Sequence, residues 1–261
     1  MRLGVVLMLA GCMNSPVLIE GTIRSGSTTE QGQAGGVVVV LDSDGEEFDR
    51  SPIKARGGFE ALAPRGSDIF LEVRAPTKQH VDVSDSDGVR AGLDAEACCE
   101  EGEMSVTSFN GASGFADSFS VEPGQLYAFS RHEQQDWERR FAGCPGVGEP
   151  GGVLIGEIRL ADWTQNGEYS LITTGFVWVE DTQQNRWDAC YLDEEGIAYS
   201  EESERTGEAG AFAIFGLPSG QYEVTVAYNP FTDVSKLNRH NIWVPDSGVV
   251  PLLPAWVEFF Y

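Results

Sequence analysis

The sequence predicts an all-β protein built from two copies of one β-rich unit, with a small disulfide-bearing middle module and one short helix. Three observations lead to this prediction. Glycine (31 residues) and proline (12 residues) are frequent, as in chains rich in turns. Short runs of β-branched and aromatic residues alternate with Gly, Pro, Asp and Ser, which punctuate strands. Four of these strand-like blocks occur twice in the same order, which indicates an internal repeat.

The repeat relates the first third of the chain to the last third. The matched segments are 17–24 with 153–159, 36–51 with 175–190, 57–73 with 210–226, and 80–89 with 241–249. Chance similarity between short β-rich segments is the alternative explanation, but the preserved order of four blocks favours a repeat. The alignment places Phe59 and Phe212 at equivalent core sites. It also places Ser51 of the first copy where the second copy has Cys190.

Local patterns predict the individual elements. Residues 221–226 (QYEVTV) alternate between apolar and polar side chains, which gives a strand one buried face and one wet face. Residues 42–45 (DSDG) predict a hairpin turn, because aspartate can bond its own backbone and glycine accepts a positive φ. The helix is expected at 130–142, since Ser130 and Glu133 have capping-box spacing and Gly-Cys-Pro follows.

The block GEAGAFAIFGLPSGQYEVTVAY at 207–228 resembles the carboxypeptidase regulatory-like family, also called transthyretin-like or prealbumin-like domains. Members of that family have a Gly-x-Phe strand, a Leu-Pro-x-Gly turn and a Tyr-x-Val strand. The matching residues are Gly210, Phe212, Leu217, Pro218, Gly220, Tyr222 and Val224. The resemblance implies a Greek-key β-sandwich of seven strands and about 80 to 110 residues, present twice. It implies little about function.

The repeat and the resemblance together define the expected domains. They are a signal segment at 1–12, a first sandwich at 13–96, a Cys-containing middle module and linker at 97–150, and a second sandwich at 151–261. The middle module has too few residues to form a large core of its own, so we expect disulfides to support it.

The first twelve residues resemble a bacterial lipoprotein signal. The apolar run at 3–10 is too short to span a bilayer, because crossing the hydrocarbon takes about 20 residues. The quartet LAGC at 9–12 then resembles the lipobox, which implies that Cys12 is acylated and becomes the mature N-terminus. The expected location is the bacterial cell envelope, with the lipid in the outer membrane and the protein on its periplasmic or surface face. A buried N-terminal strand with a free cysteine is the alternative.

Four cysteines follow the signal: Cys98, Cys99, Cys144 and Cys190. An even number of cysteines in an exported chain predicts disulfides. Because a bond between the adjacent Cys98 and Cys99 would be strained, two pairings are left: Cys98 with Cys144 and Cys99 with Cys190, or the reverse. Metal binding is the competing explanation, but the chain has no CxxC or HxxxH spacing to support it.

Five of the six tryptophans lie in the last hundred residues and indicate a candidate ligand platform, which consists of Phe176, Trp178 and Trp187. In the strand GFVWVED (175–181), Phe176 and Trp178 share one face and two valines share the other. Either the middle module covers the aromatic face, or the face binds a ligand by aromatic stacking. We expect it to be covered, because a disulfide from Cys190 to the middle module would hold that module over it.

Composition and motifs argue against catalysis, metal binding and nucleic-acid binding. Asp and Glu outnumber Lys and Arg by 41 to 17, a net charge of −24 that repels nucleic acid and anionic headgroups. The three histidines lie in different modules, and the chain has no P-loop or dinucleotide fingerprint. We therefore expect no catalytic residue, no metal and no cofactor. The loops at 42–45 and 85–88 resemble fragments of calcium loops, but they lack the first ligand and the distal glutamate, which favours ordinary hairpin turns.

Two functional hypotheses follow. The favoured one is a non-enzymatic, lipid-anchored cell-envelope protein that acts in structural display or protein interaction. The alternative is a glycan-binding module that uses aromatic residues of the C-terminal sandwich. The expected partners are the membrane, through the N-terminal lipid, and envelope proteins or glycans, with no nucleic acid among them. A glycan binder requires exposed aromatic residues beside an open groove, whereas a spacer requires none.

Overall fold

The computed structural model describes most of the two predicted units and part of the segment between them. The described residues are 16–25, 28–32, 36–54, 57–74, 107–109, 127–129, 131–161, 170–171, 175–207, 210–228 and 236–258. They form β-strands and one short helix, so the predicted all-β class is confirmed. Among these residues, no helix has both the length and the apolar character that a membrane span requires.

The elements fall into two groups that the helix separates. Before the helix lie β1 (Val17–Thr22), β2 (Arg24–Ser25), β3 (Thr28–Gly32), β4 (Val37–Leu41), β5 (Glu47–Pro52), β6 (Gly58–Ala63), β7 (Phe70–Arg74), β8 (Thr107–Phe109) and β9 (Tyr127–Ala128). The helix is α1 (Arg131–Arg140). After it lie β10 (Gly152–Ala161), β11 (Ser170–Leu171), β12 (Gly175–Asp181), β13 (Arg186–Asp188), β14 (Cys190–Tyr191), β15 (Ala211–Leu217), β16 (Gly220–Tyr228), β17 (Lys236–Val244) and β18 (Gly248–Glu258).

The first half of the chain is a sandwich of two antiparallel layers. One layer consists of β1 and β6, and in the other β4 lies between β5 and β7. Strand β1 alternates buried and exposed residues at 17–20, whereas all five residues of β4 are buried. The pattern of β4 is that of a strand covered on both faces. The core between the layers includes Ile19, Val38 and Phe59.

The second half is a sandwich of the same kind. In one layer, β10 pairs antiparallel with β15 and parallel with β18. In the other layer, β12 lies between β13 and β16, and β16 also pairs with β17. Leu154, Val177 and Phe212 are part of the core between them. The Tyr222 hydroxyl donates to the Pro218 carbonyl at 2.8 Å and so closes the Leu-Pro-x-Gly turn. A tyrosine that bonds back to the chain near a strand start is a feature of β-sandwiches.

The two halves place a phenylalanine against a glycine in the same way. Phe59 of β6 lies opposite Gly21 of β1, and Phe212 of β15 lies opposite Gly156 of β10. Both rings are buried. A Cβ atom at Gly156 would come within 2.3 Å of Phe212 Cζ, so this ring packs directly on the glycine backbone. A larger residue at Gly156 would push the ring out of the core.

The hairpin turn predicted at 42–45 is confirmed, and the second half contains the same turn. Asp42 accepts two backbone N–H bonds through Oδ1, at 2.9 and 3.0 Å. Asp181 accepts the equivalent two bonds at 2.8 and 2.9 Å. The fourth residue of each turn has a positive φ, 79° at Gly45 and 66° at Gln184. Each turn is therefore set by one aspartate side chain and one left-handed residue.

A nine-stranded sheet joins the two halves through β8. Thr107 of this strand lies opposite Val73 of β7 and opposite Val249 of β18. The sequence does not predict this connection, because a local strand pattern does not indicate which strands it pairs with. Since β8 falls in the stretch assigned to the middle module, that stretch contributes to the sheet. The boundaries at 13–96, 97–150 and 151–261 stay predictions.

The helix and the loop that follows it cover the outer face of the β10–β15 layer. Trp137 stacks on Phe141 with ring centroids 5.7 Å apart, and Phe141 contacts Phe215 of β15 at 5.9 Å. Phe141 is fully buried. The helix thus adds a third layer to the second sandwich, on the side away from β12.

One disulfide lies within the described residues, and it joins Cys144 to Cys190 with a Cα–Cα distance of 6.1 Å. The expectation that each of these cysteines bonds to Cys98 or Cys99 is therefore wrong. The loop after α1 returns to the β14–β15 edge, where both sulfurs enter the same apolar cluster. The middle segment is tied to the second sandwich, but on the outer face of the β10–β15 layer. The described residues after α1 therefore lie away from the aromatic platform, and the rest of the expected cover falls outside the described residues.

Trp243 of β17 connects the two halves by side-chain packing. Its ring lies on a set of four buried apolar residues on the outer face of β4 and β7, here called the first-half face: Val37, Val39, Leu41 and Phe70. The rings of Trp243 and Phe70 have centroids 6.0 Å apart. Gly45 lies under the indole, because a Cβ atom there would be 1.9 Å from Trp243 Cη2. The hairpin turn at Gly45 therefore fits against the second sandwich only without a side chain.

Several sequence predictions fall outside the described residues. They concern the signal and lipobox at 1–12 with Cys12, the cysteines Cys98 and Cys99, the repeat segment 80–89 with the turn at 85–88, and Ser130 of the capping box.

Replacing Gly45 by alanine should destabilise the protein more than the same change at Gly148. Both glycines have a φ of +79°, so the backbone strain of alanine is the same at both, about 1 kcal/mol. Only at Gly45 must the new methyl group displace Trp243, which adds about 1–3 kcal/mol. Urea unfolding of both variants measures the difference. Equal losses would show that the Trp243 contact does not hold the halves together.

Reducing the Cys144–Cys190 bond should lower the free energy of unfolding by up to ~4 kcal/mol, because the bond closes a loop across 46 residues of the unfolded chain. Urea unfolding with and without a reductant measures the loss, and the Cys144→Ser/Cys190→Ser double variant should behave like the reduced protein. Peptide mapping without reduction tests the pairing itself. A peptide that joins Cys190 to Cys98 or Cys99 would contradict the structure.

Candidate functional site

Strand β12 presents two aromatic side chains on the outside of the second sandwich. Its residues alternate, so Val177 and Val179 point into the core and Phe176 and Trp178 point away from it. Phe176 is 38 % exposed, and Trp178 is partly exposed. The structure therefore brings two of the three predicted platform residues together on an open face.

Trp187, the third predicted platform residue, lies on the opposite side of the layer. Its ring packs edge-on against Tyr222, with centroids 5.6 Å apart, and borders the core. Strand alternation gives the outer positions of β13 to its neighbours Arg186 and Asp188 instead. Trp187 is therefore not part of the platform, and its prediction as a platform residue is wrong.

Arg186 and Asp188 add a paired charge beside the aromatic rings. Arg186 Nε donates to Asp188 Oδ1 at 2.7 Å, and the guanidinium carbon lies 4.5 Å from the centre of the Trp178 ring. The cation–π contact restricts the orientation of the indole. Neither residue is among the predicted platform residues, although alternation along β13 places both on the face opposite Trp187.

The chain leaves this layer directly after β13, and its departure opens space beside β12. Ala189 still donates its backbone N–H to the Val177 carbonyl at 3.0 Å. The next residue, Cys190, lies opposite Ala213 of β15 in the other layer, where the disulfide to Cys144 holds it. The first part of β12 therefore has no neighbouring strand on this edge beyond Ala189 among the described residues.

The first half lacks this crossing. Strand β5 stays beside β4 to its end, with Ser51 opposite Val38 and Pro52 opposite Val37. The expectation that Ser51 and Cys190 occupy equivalent places is therefore wrong. The two halves diverge at this position because Cys190 lies in the opposite layer, beside β15.

A tyrosine hydroxyl takes the place of the missing strand. The Val177 N–H donates to Tyr191 Oη at 2.7 Å, and this hydroxyl donates to the Val177 carbonyl at 3.3 Å. The phenol supplies the acceptor for the Val177 N–H and a second donor to the Val177 carbonyl, which Ala189 also bonds. Burial raises the pKa of Tyr191 to about 12, so the hydroxyl keeps its proton at physiological pH.

The opposite wall of the space is the segment 203–206. The Gly175 N–H donates to Thr206 Oγ1 at 3.0 Å, and the Thr206 N–H donates to the Gly175 carbonyl at 3.0 Å. This reciprocal pair fixes the segment beside the start of β12. It brings Ser203 and Glu204 to the rim. The sequence contains no signal for them, because they lie in an irregular loop.

These elements border an open groove of about 730 Å³. This volume is within the range of small-molecule sites. We call it the aromatic groove, and its functional side chains are Phe176, Trp178, Arg186, Asp188, Ser203 and Glu204. They combine aromatic surface with hydrogen-bond donors and acceptors, so they can stack on a ligand and exchange hydrogen bonds with it. In the part of the chain that the structure describes, no group of three or more His, Cys, Asp or Glu could hold a metal ion.

The aromatic groove and the first-half face lie on equivalent faces of the two sandwiches. The register is shared: Leu41 lies opposite Phe70 in the first half, and Glu180 lies opposite Glu223 in the second. The first-half face is apolar and buried under Trp243. The second-half equivalent instead carries two aromatic residues followed by a carboxylate along β12: Phe176, Trp178 and Glu180.

Comparisons with known proteins give no family for this chain. No protein-family model matches it, and no curated protein is similar enough to count as a match. Among solved structures, the Bacillus anthracis TIE protein is 10 % identical with a TM-score of 0.27; the comparison covers 91 % of this chain, which spans 33 % of that protein.

Two pilin structures give comparisons of the same kind. GBS52, the minor pilin of Streptococcus agalactiae, is 9 % identical with a TM-score of 0.30, covering 94 % of this chain and 97 % of the pilin. The shaft pilin SpaA of Lactobacillus rhamnosus GG is 8 % identical with a TM-score of 0.26, covering 95 % and 100 %. Superpositions this loose carry no argument about activity. The function has to be inferred from the residues of this chain.

Replacing Tyr191 by phenylalanine should destabilise the second sandwich by about 1–3 kcal/mol, because it leaves the buried N–H of Val177 without an acceptor. Tyr222→Phe is the matched control. It also removes a hydroxyl, but it leaves only the carbonyl of Pro218 in a part-buried turn, so we expect a loss nearer to about 1 kcal/mol. Urea unfolding measures both. A smaller loss for Tyr191→Phe than for Tyr222→Phe would contradict this role of the phenol.

Proposed function

We propose that this chain is a non-enzymatic, lipid-anchored protein of the bacterial cell envelope that displays a binding groove on two coupled β-sandwiches. The observation that carries the proposal is the contrast between the two equivalent faces. The first-half face is buried under Trp243, whereas Phe176 in the equivalent position is 38 % exposed beside a groove. One face serves assembly of the molecule, and the other remains available to a partner.

The proposal includes a common origin for the two halves as prealbumin-like units. The shared register supports this inference, because Val38 lies opposite Val73 and Val177 opposite Val226, at positions that the sequence alignment equates. The shared aspartate-bonded turn supports it as well. The domains at 13–96, 97–150 and 151–261 are part of the proposal.

Anchoring is proposed to occur through Cys12. The lipobox-like quartet ends five residues before β1 begins at Val17, so a lipid at Cys12 would hold the first sandwich close to the membrane surface. Each buried methylene of an acyl chain adds ~0.8 kcal/mol to membrane affinity. The Cys144–Cys190 disulfide supports export, because disulfides persist in oxidising compartments.

The interior chemistry of the described residues supports a binding role more than a catalytic one. Tyr191 and Tyr222 have pKa values raised to about 12, mainly by burial, and each hydroxyl is bonded to the backbone. Both act as structural donors. The groups that reach the groove are a paired arginine, carboxylates and a serine, which suit hydrogen bonding to a ligand.

Replacing Cys12 by serine should abolish membrane attachment, because serine has no thiol to acylate. We expect the wild-type chain in the membrane fraction and labelled by radioactive palmitate, and the variant unlabelled and either soluble or unprocessed. Ser15→Ala, a change outside the LAGC quartet, is the control and should stay attached. Unchanged labelling and attachment of Cys12→Ser would overturn the anchoring proposal.

A further inference from the structure

We propose that the aromatic groove binds a neutral saccharide, which stacks on Phe176 and Trp178 and hydrogen-bonds to the polar rim. This inference rests on the proposed display function and names the ligand class of the same groove. Three features of the groove point to this class: its mixture of aromatic and polar groups, its charge and its size.

The mixture of groups fits a sugar ring. A pyranose has an apolar face of C–H groups that packs on an aromatic ring, and an edge of hydroxyls that both donate and accept hydrogen bonds. Phe176 and Trp178 can pack on the apolar face of the sugar. The hydroxyls can bond to the polar groups at the rim: Asp188, Ser203 and Glu204. The contact from Arg186 restricts the indole before a ligand arrives, which lowers the entropic cost of binding.

The first-half face shows the kind of residues that pack against another part of this protein. There the positions are filled by aliphatic residues and Phe70, and a tryptophan side chain buries them. In the second half the pair Leu41 and Phe70 is replaced by Glu180 and Glu223. Permanent burial under protein would remove these carboxylates from water at a large cost. A small hydroxylated ligand that occupies only the aromatic end leaves them hydrated.

The local charge excludes acidic sugars. The single cation of the groove that the structure describes, Arg186, is paired with Asp188 through two contacts of its guanidinium, at 2.7 and 2.5 Å. Glu204 adds a second carboxylate at the rim, and the chain as a whole has a net charge of −24. A sulfate, phosphate or uronate would meet two carboxylates, Asp188 and Glu204, and one arginine that is already paired. The ligand class is therefore neutral.

The size of the groove fits a short oligosaccharide better than a protein surface. Ten of the described residues line its volume of about 730 Å³. A stable protein interface engages roughly 20–30 residues on each side, whereas small-molecule sites occupy about 300–1,000 Å³. The groove is open to solvent, so a chain of sugars can continue beyond it.

The test is isothermal titration of the detergent-solubilised full chain with four neutral hexasaccharides: maltohexaose, cellohexaose, laminarihexaose and chitohexaose. A sulfated and a uronic-acid hexasaccharide serve as charged comparisons. We expect binding of at least one neutral sugar and none of the acidic ones. Trp178→Ala should weaken that binding at least tenfold. Phe48→Ala should leave it unchanged, because it removes an aromatic side chain that is 45 % exposed but lies in the first half.

Arg186→Gln provides a second variant that keeps the aromatic rings. It should weaken binding several-fold by releasing the indole, and circular dichroism and urea unfolding establish that each variant is folded. The proposal is overturned if no neutral sugar binds, if an acidic sugar binds more tightly, or if folded Trp178→Ala binds like the wild type. A photo-reactive residue at position 176 that captures a protein in cells, with no sugar bound, assigns the groove to protein interaction and also overturns it.

Membrane attachment separates this proposal from the display function. Trp178→Ala should remain in the membrane fraction, since the substitution is far in sequence from Cys12. If Cys12→Ser loses membrane attachment but the wild-type chain binds no sugar, only the saccharide proposal is overturned. Sugar binding together with unchanged attachment of Cys12→Ser overturns the anchor and leaves the ligand class standing.

Discussion

The crossing of the chain from one layer to the other at Cys190 is the constraint on which the second sandwich depends. The disulfide to Cys144 fixes Cys190 against β15 and, through the same bond, fixes the loop after α1 on the outer face of that layer. Because the chain can no longer run beside β12, the first residues of that strand lose a neighbour. Tyr191 repairs the backbone hydrogen bonds at Val177 with its hydroxyl, but a phenol cannot cover the side chains. The aromatic groove is the space that remains.

The first half shows the same register without the crossing. Strand β5 continues beside β4, the outer positions are aliphatic, and the resulting face is closed by Trp243 of the second half. Gly45 is part of that closure, since the indole occupies the volume that a side chain would need. One pattern of strands thus supports two surfaces, which differ in the path of the strand after the hairpin and in the residues at the outer positions. In the first half the surface couples the two sandwiches, and in the second it stays open.

Local features of this fold could be predicted from the sequence, and long-range ones could not. The alternation in GFVWVED places Phe176 and Trp178 on one face because a strand has a period of two, and the structure agrees. The aspartate at position 42 predicts its turn because the interaction is confined to four neighbouring residues. The pairing of Cys144 with Cys190 depends instead on the path of the loop after α1, and cysteine counting cannot supply that path. Trp187 was placed with the platform although it lies on the other face, because a tryptophan count ignores strand alternation.

The groove stays open because charged residues stand where the first half has apolar ones. Glu180 and Glu223 lie directly opposite each other, and like charges in cross-strand pairs are destabilising. Arg239 on β17 offsets part of this repulsion, with its guanidinium 3.2 Å from Glu223. Apolar residues at these two positions, as in the first half, would extend the aromatic surface into a patch of the kind that associates with other sheets. The carboxylates prevent this and keep Phe176 and Trp178 in contact with water. The same two carboxylates therefore leave the aromatic rings accessible, which the proposed saccharide site requires.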